Sequence, residues 1–150
     1  MLSTQESLTQ NLIGTMWHLL TALRDPEYQR LEWVARENLH AMEDVLEDFC
    51  GNVEGLPGWT FSENLAWVYR SFGIPVGNAL LPVYVAIEAT LPTHPKEENE
   101  LESFLDSSAW LNVIASASTA FDFLDSVAVK DEHGLPVFYN PPDCEENVNS

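Results

Sequence analysis

Glu43, Asp44, Glu47 and Asp48 stand at i, i+1, i+4 and i+5 spacing, which on a helix places four carboxylates on one side with neighbours about 5–6 Å apart. No Lys or Arg lies between Arg36 and Arg70 to neutralise them. Like-charged i,i+4 pairs cost a helix about 0.2–0.5 kcal/mol each, so the pattern works slightly against the helix that carries it. Glu54 extends the run, and a second group, Glu97, Glu98, Glu100 and Glu102, follows much later in the chain. If the two groups adjoin, they form a strip of negative charge resembling the phosphate pattern that DNA-binding proteins recognise. Taken singly, each group also fits a solvated helix face that serves solubility.

Other chemistry finds weaker support. Glu37 and His40 form Glu-x-x-His, half of a carboxylate di-metal site in a four-helix bundle. His18, His94 and His133 follow Thr15, Leu91 and Lys130 by three residues, so the second half is missing and helical coincidence is the stronger reading. Asp131-Glu132-His133-Gly134 lacks the alternating oxygen ligands of a calcium loop. Cys50 and Cys144 form no C-x-x-C. No nucleophile elbow, Walker motif or dinucleotide fingerprint occurs. Six basic residues scattered from Arg24 to Lys130 make no nucleic-acid-binding patch. The expectation is a non-enzyme with no cofactor, no metal and no direct nucleic-acid contact. Trp17 and Trp110 belong to apolar helical segments and read as core. Trp33, beside Glu32 and Arg36, and Trp59, on a Pro/Gly loop, are candidates for exposed aromatic anchors in a binding patch, although packing remains the commoner use of such rings.

The chain that must position these groups has 24 Asp and Glu against six Lys and Arg, a net charge of -18, yet 45% of its residues are hydrophobic. That combination argues for a folded acidic body and against disorder. Its 150 residues suit one domain, expected over residues 1–140, with a flexible acidic tail at 141–150. The first ten residues lack a basic signal-peptide region, and the longest apolar run, residues 74–91, is interrupted by Pro75, Gly77, Asn78, Pro82 and Glu88. A cytoplasmic protein without membrane contact is the simplest expectation.

The fold class expected is all-α, a compact bundle of four to six helices with a short extended C-terminal segment. Ser3 and Glu6 have capping-box spacing ahead of an apolar stripe ending near Arg24. Asp25-Pro26 opens a second helix that the periodicity carries through Leu31, Ala35, Leu39, Met42 and Phe49, with Gly51 to close it. After the loop at 55–59, Thr60 and Glu63 repeat the capping box before a third helix over about residues 62–72. Residues 78–91 fit helix better than strand, provided Pro82 lies in the first turn. Residues 95–129 fit one helix or two, with Asp106 able to cap the second, and Leu135 to Tyr139 is expected to lie extended over the core.

In size, acidity and lack of catalytic motifs the chain is similar to phage anti-restriction and anti-CRISPR factors and to the immunity partners of nuclease toxins, a likeness of composition alone. The function it implies is an acidic inhibitor that occupies the basic nucleic-acid-binding surface of a nucleic-acid-handling enzyme or defence complex, a DNA mimic. Electrostatic steering would speed its association. The alternative is a non-catalytic helical adaptor or assembly subunit whose acidity serves solubility. Homo-oligomerisation is compatible with either.

Overall fold

Polar caps ahead of apolar stripes start several of the helices. In this computed structural model, which describes residues 3–54 and 60–139, the Ser3 hydroxyl accepts from the Glu6 N–H at 3.1 Å and the Glu6 carboxylate accepts from the Ser3 N–H at 3.2 Å. This reciprocal pair opens α1 (Thr4–Leu23). The Asp25 carboxylate accepts from the N–H groups of Glu27 and Tyr28 and opens α2 (Pro26–Gln29). Then come α3 (Leu39–Glu54), α4 (Phe61–Phe72) behind the Thr60–Glu63 capping box, α5 (Ile74–Thr90), α6 (Leu101–Leu105) and α7 (Ser108–Val127). The expected loop at 55–59 with Trp59, and the expected tail at 141–150 with Cys144, lie outside the described residues.

The all-α class holds, with seven α-helices among the described residues instead of four to six. One added helix comes from a break in the expected second helix. Arg30–Val34 winds into a π-turn, with the Ala35 N–H on the Arg30 carbonyl at 2.8 Å, and Glu37 takes a left-handed φ of 51°. Unwinding there swings Trp33 fully into the core, where its ring meets that of Trp110 edge-on at 6.1 Å. Burying a large side chain contributes about 2–3 kcal/mol, which outweighs the roughly 1–2 kcal/mol cost of one left-handed residue. The restarted helix runs through Gly51 to Glu54, so Gly51 is no cap.

A second difference concerns Pro82. Residues 78–91 are helical up to Thr90, but the helix begins earlier, at Ile74 beyond Gly73 (φ 84°), with Pro75 in its first turn. Pro82 therefore sits in the helix interior and not at its start. Together with Leu91–Thr93, α5 forms an apolar stretch that is long enough and apolar enough to cross a membrane by length and composition. Residues 95–129 resolve into two helices. Ser107, whose hydroxyl accepts from the Trp110 N–H at 3.2 Å, caps α7, while Asp106 closes α6 and binds Arg30 at 2.6 Å.

All the longer helices feed one core, with Met16, Leu20, Met42, Phe49, Leu80, Val113 and Leu124 fully buried. The α5 and α7 helices pack most extensively, followed by α1 and α7. Gln29, also buried, donates to the Ala22 and Leu23 carbonyls at the end of α1 and accepts from the Trp110 indole at 2.9 Å. The C-terminal segment is extended as expected, with an isolated bridge between Lys130 and Pro136. It is strapped across α1, since the Asn11 amide donates to the Tyr139 carbonyl and accepts from the Tyr139 N–H, both at 2.7 Å. Gly14 leaves the room for this crossing, because a Cβ there would stand 2.9 Å from the Phe138 ring.

Candidate functional site: a carboxylate-lined groove between α3 and α5

Four carboxylates ring a groove of about 270 Å³ between α3 and α5. Glu43, Glu47 and Glu54 come from α3 and Glu88 from α5, while Leu46, Cys50 and Ile87 supply an apolar floor. The spacing explains the set: steps of four and seven residues return to one helix face. Asp44 and Asp48, one residue on from Glu43 and Glu47, turn toward open solvent and are exposed. The four carboxylates read as a single face therefore divide into groove-lining and outward-facing pairs.

Each end of the groove is chemically fixed. At one end the Tyr84 hydroxyl, on a buried ring, donates to Glu54 at 2.8 Å. Burial, followed by the flanking Glu88 and Glu54 carboxylates, holds this phenol well above its ordinary pKa. Burial also pushes the Cys50 thiol up to about 12, assisted by the charges of Glu54 and Glu88. Cys50 is thus a neutral part of the floor at physiological pH. At the other end Glu43 stands between two imidazoles, His94 Nε2 at 3.0 Å and His40 Nδ1 at 3.3 Å. A carboxylate only accepts, which places a proton on His94 Nε2. His94 Nδ1 is buried without a hydrogen-bond partner, and the ring meets Phe104 edge-on.

Beyond His94 a second depression continues the groove, lined by Leu39, His40, Glu43, His94, Pro95, Lys96, Glu97 and Glu98. The two acidic segments therefore adjoin, but the second one works mostly inside the protein. Glu98 accepts from the Leu39 N–H at 2.9 Å and, with Asn38, caps α3, an anion at the positive end of the helix. Glu100 accepts from the N–H groups of Lys96 and Glu97, and Glu97 returns the contact as a capping box. Glu102 lies 3.7 Å from Arg30. Four of the six Lys and Arg residues are similarly engaged: Arg24, Arg30, Arg36 and Lys130 each pair with an Asp or Glu.

Two further candidate features take other places in the structure. Trp33 is 0% exposed, so it is a core ring and no anchor, while Trp59 lies outside the described residues. Glu37 sits in the turn before α3, so Glu37 and His40 do not share a helix face. Among the described residues no three His, Cys, Asp or Glu side chains gather into a metal-binding group. The sequence reading missed Tyr84, Glu88 and His94. Glu88 carried a signal, being the only charged residue in the apolar run of α5; His94 carried none, since its role depends on where the chain passes after α5.

No protein-family model, curated protein or solved structure matches this chain.

Proposed function

We propose that the chain is a non-catalytic, acidic protein-binding inhibitor that occupies a basic, nucleic-acid-binding surface of its target. The observation that supports this reading best is the groove itself: Glu43, Glu47, Glu54 and Glu88 around an apolar floor. Lys and Arg side chains have the same division, an apolar stem and a charged head. A stem laid over Leu46 and Ile87 brings its head among the carboxylates, while Asp44 and Asp48 face neighbouring cations on the target. Steering by the -18 net charge speeds encounter, and the groove slows release.

The adaptor reading draws support from one specific observation. Glu98, Glu100 and Glu102 cap helices or bind Arg30, so part of the acidity has structural work without any partner. One experiment separates the two readings. Tagged chain is incubated with cognate cell lysate at low salt and eluted with heparin, in parallel with an Asp44→Lys/Glu47→Lys/Asp48→Lys variant at exposed positions. The inhibitor reading expects a nucleic-acid-binding enzyme in the heparin eluate, its association slowing at least about 10-fold between 50 and 300 mM salt, and its loss in the variant. A heparin-resistant partner retained by the variant supports the adaptor instead.

A further inference from the structure

Asn11 grips a peptide backbone as a receptor would. Its amide donates to the Tyr139 carbonyl and accepts from the Tyr139 N–H, both at 2.7 Å, a two-pronged contact that recognises extended main chain whatever side chain it carries. Gln10 accepts from the Val129 N–H at 3.0 Å. Asn11, Gly14 and His18 stand three and four residues apart and so share one face of α1. At the centre of that face Gly14 leaves a notch: the three atoms nearest to a Cβ added there, 2.9 to 3.2 Å away, belong to Phe138 and Pro136. His18 stacks on the Phe138 ring, with 6.0 Å between centroids. Three observations separate this contact from ordinary core packing. The apolar core includes none of Val129, Leu135, Val137 and Phe138, so the helices pack together without the strap. The seat is shallow, since Phe138 stays 51% and Leu135 44% exposed. A glycine inside a 20-residue helix also costs about 1 kcal/mol against alanine, and here it makes room for Phe138 and Pro136.

We infer that this face of α1 is a docking site for an extended, uncharged segment of a partner protein, with a proline two residues before an aromatic, and that residues 136–139 fill it in cis as a competing internal ligand. The internal ligand defines the chemistry of the external one. From Gly134 to Tyr139 no residue is charged, and at the margin of the seat Lys130 and Asp125 neutralise each other at 2.9 Å. The strap presents Pro136 and Phe138 to the notch and the main chain of Tyr139 to Asn11, so a partner segment with the same spacing can replace it contact for contact. A second copy carries that segment too, but it brings a charge of -18 against -18, a repulsion that an uncharged partner segment avoids. The partner must first displace the strap, so its apparent affinity is the intrinsic affinity reduced by the fraction of chains with the seat open. The site lies on α1, whereas the acidic groove lies between α3 and α5, and uncharged binding is indifferent to salt where the inhibitor reading requires salt dependence. The two therefore stand or fall separately.

The test is isothermal titration calorimetry with the acetylated and amidated peptide of residues 134–139 as probe. It is titrated into the full chain and into full-length Pro136→Ser/Phe138→Ser, which removes both groups from the notch and leaves α1 unchanged. The expected result is binding to the variant at least about 10-fold tighter than to the wild type, changing by less than about twofold between 50 and 500 mM NaCl. Adding Asn11→Ala or Gly14→Leu to the variant should abolish it, the first by removing the clamp and the second by filling the notch. Circular dichroism melting identifies any protein that fails to fold; Phe138→Ala alone then replaces the double variant, and either α1 substitution carries the test without the other. A folded strap variant that binds no peptide at 500 µM overturns the inference. Equal affinity for wild type and variant does so too, because nothing is then displaced, as does binding that survives both Asn11→Ala and Gly14→Leu. A wild-type dimer in sedimentation equilibrium that Asn11→Ala dissolves would give the site to a second copy and overturn the partner assignment.

Discussion

Gln29 shows how far one buried polar side chain reaches. Its amide satisfies two carbonyls at the end of α1 and the Trp110 indole of α7, so Gln29→Leu leaves one buried donor and two acceptors unpaired at nearly constant volume. At about 1–3 kcal/mol for an orphaned group, the expected loss is about 2–4 kcal/mol, read from the urea midpoint. Cys50 supplies a pH prediction. Burial first, then Glu54 and Glu88, raise the folded thiol from 9.0 to about 12. Between those values the unfolded thiol has released its proton while the folded one retains it. The native state then binds more protons, so stability falls as pH rises through the window. Tyr84 is raised in the same direction. Urea midpoints of wild type and Cys50→Ala from pH 8.5 to 11 should converge as the wild type loses stability faster; parallel curves would show that the thiol ionises alike in both states. Neither role was legible in advance. Gln29 looks like an ordinary polar residue between Tyr28 and Arg30, and only the returning α7 helix makes it indispensable.

Elements announced by local chemistry were readable, and those decided by tertiary packing were not. The Ser3–Glu6 and Thr60–Glu63 boxes and the Asp25-Pro26 start appear where their spacing placed them, because caps act within one turn. The helix read through residues 26–50 failed at Arg30–Val34, because its periodicity ran unbroken through a point where burying Trp33 favours a π-turn. The groove was half legible for a related reason: periodicity within α3 reveals Glu43 and Glu47, but not that α5 brings Glu88 opposite them. Pro82 gives the element scale its prediction. An interior proline removes the N–H that would bond the Asn78 carbonyl, a cost of up to about 3 kcal/mol in a regular helix. Pro82→Ala should therefore raise stability by about 1–2 kcal/mol, visible as a higher urea midpoint. A lower midpoint would mean that the helix is packed around the ring itself.

For the whole molecule, stability and binding pull the charge in opposite directions. Arg24, Arg30, Arg36 and Lys130 are already paired, so most carboxylates among the described residues have no Lys or Arg in salt-bridge contact, and folding gathers several of them along α3. Repulsion of this kind acts over the Debye length, about 30 Å at 0.01 M salt and about 8 Å at 0.15 M. Raising NaCl from 10 to 500 mM should therefore increase the melting temperature, by about 3–8 °C if screening recovers roughly 1–2 kcal/mol. Asp44→Lys with Asp48→Lys should produce much of that gain at 10 mM salt and little more at 500 mM, since both positions are exposed and lose only repulsion. What the same variant does to binding then gives the charge its meaning. If the acidic strip exists to meet a basic target, the substitutions stabilise the protein while weakening target association at least about 10-fold, the trade-off expected of a functional surface held at the expense of stability. If the acidity serves solubility alone, the variant melts higher, binds unchanged and precipitates at lower concentration. Melting curves at two salt concentrations, paired with association rates for the same two proteins, separate these outcomes.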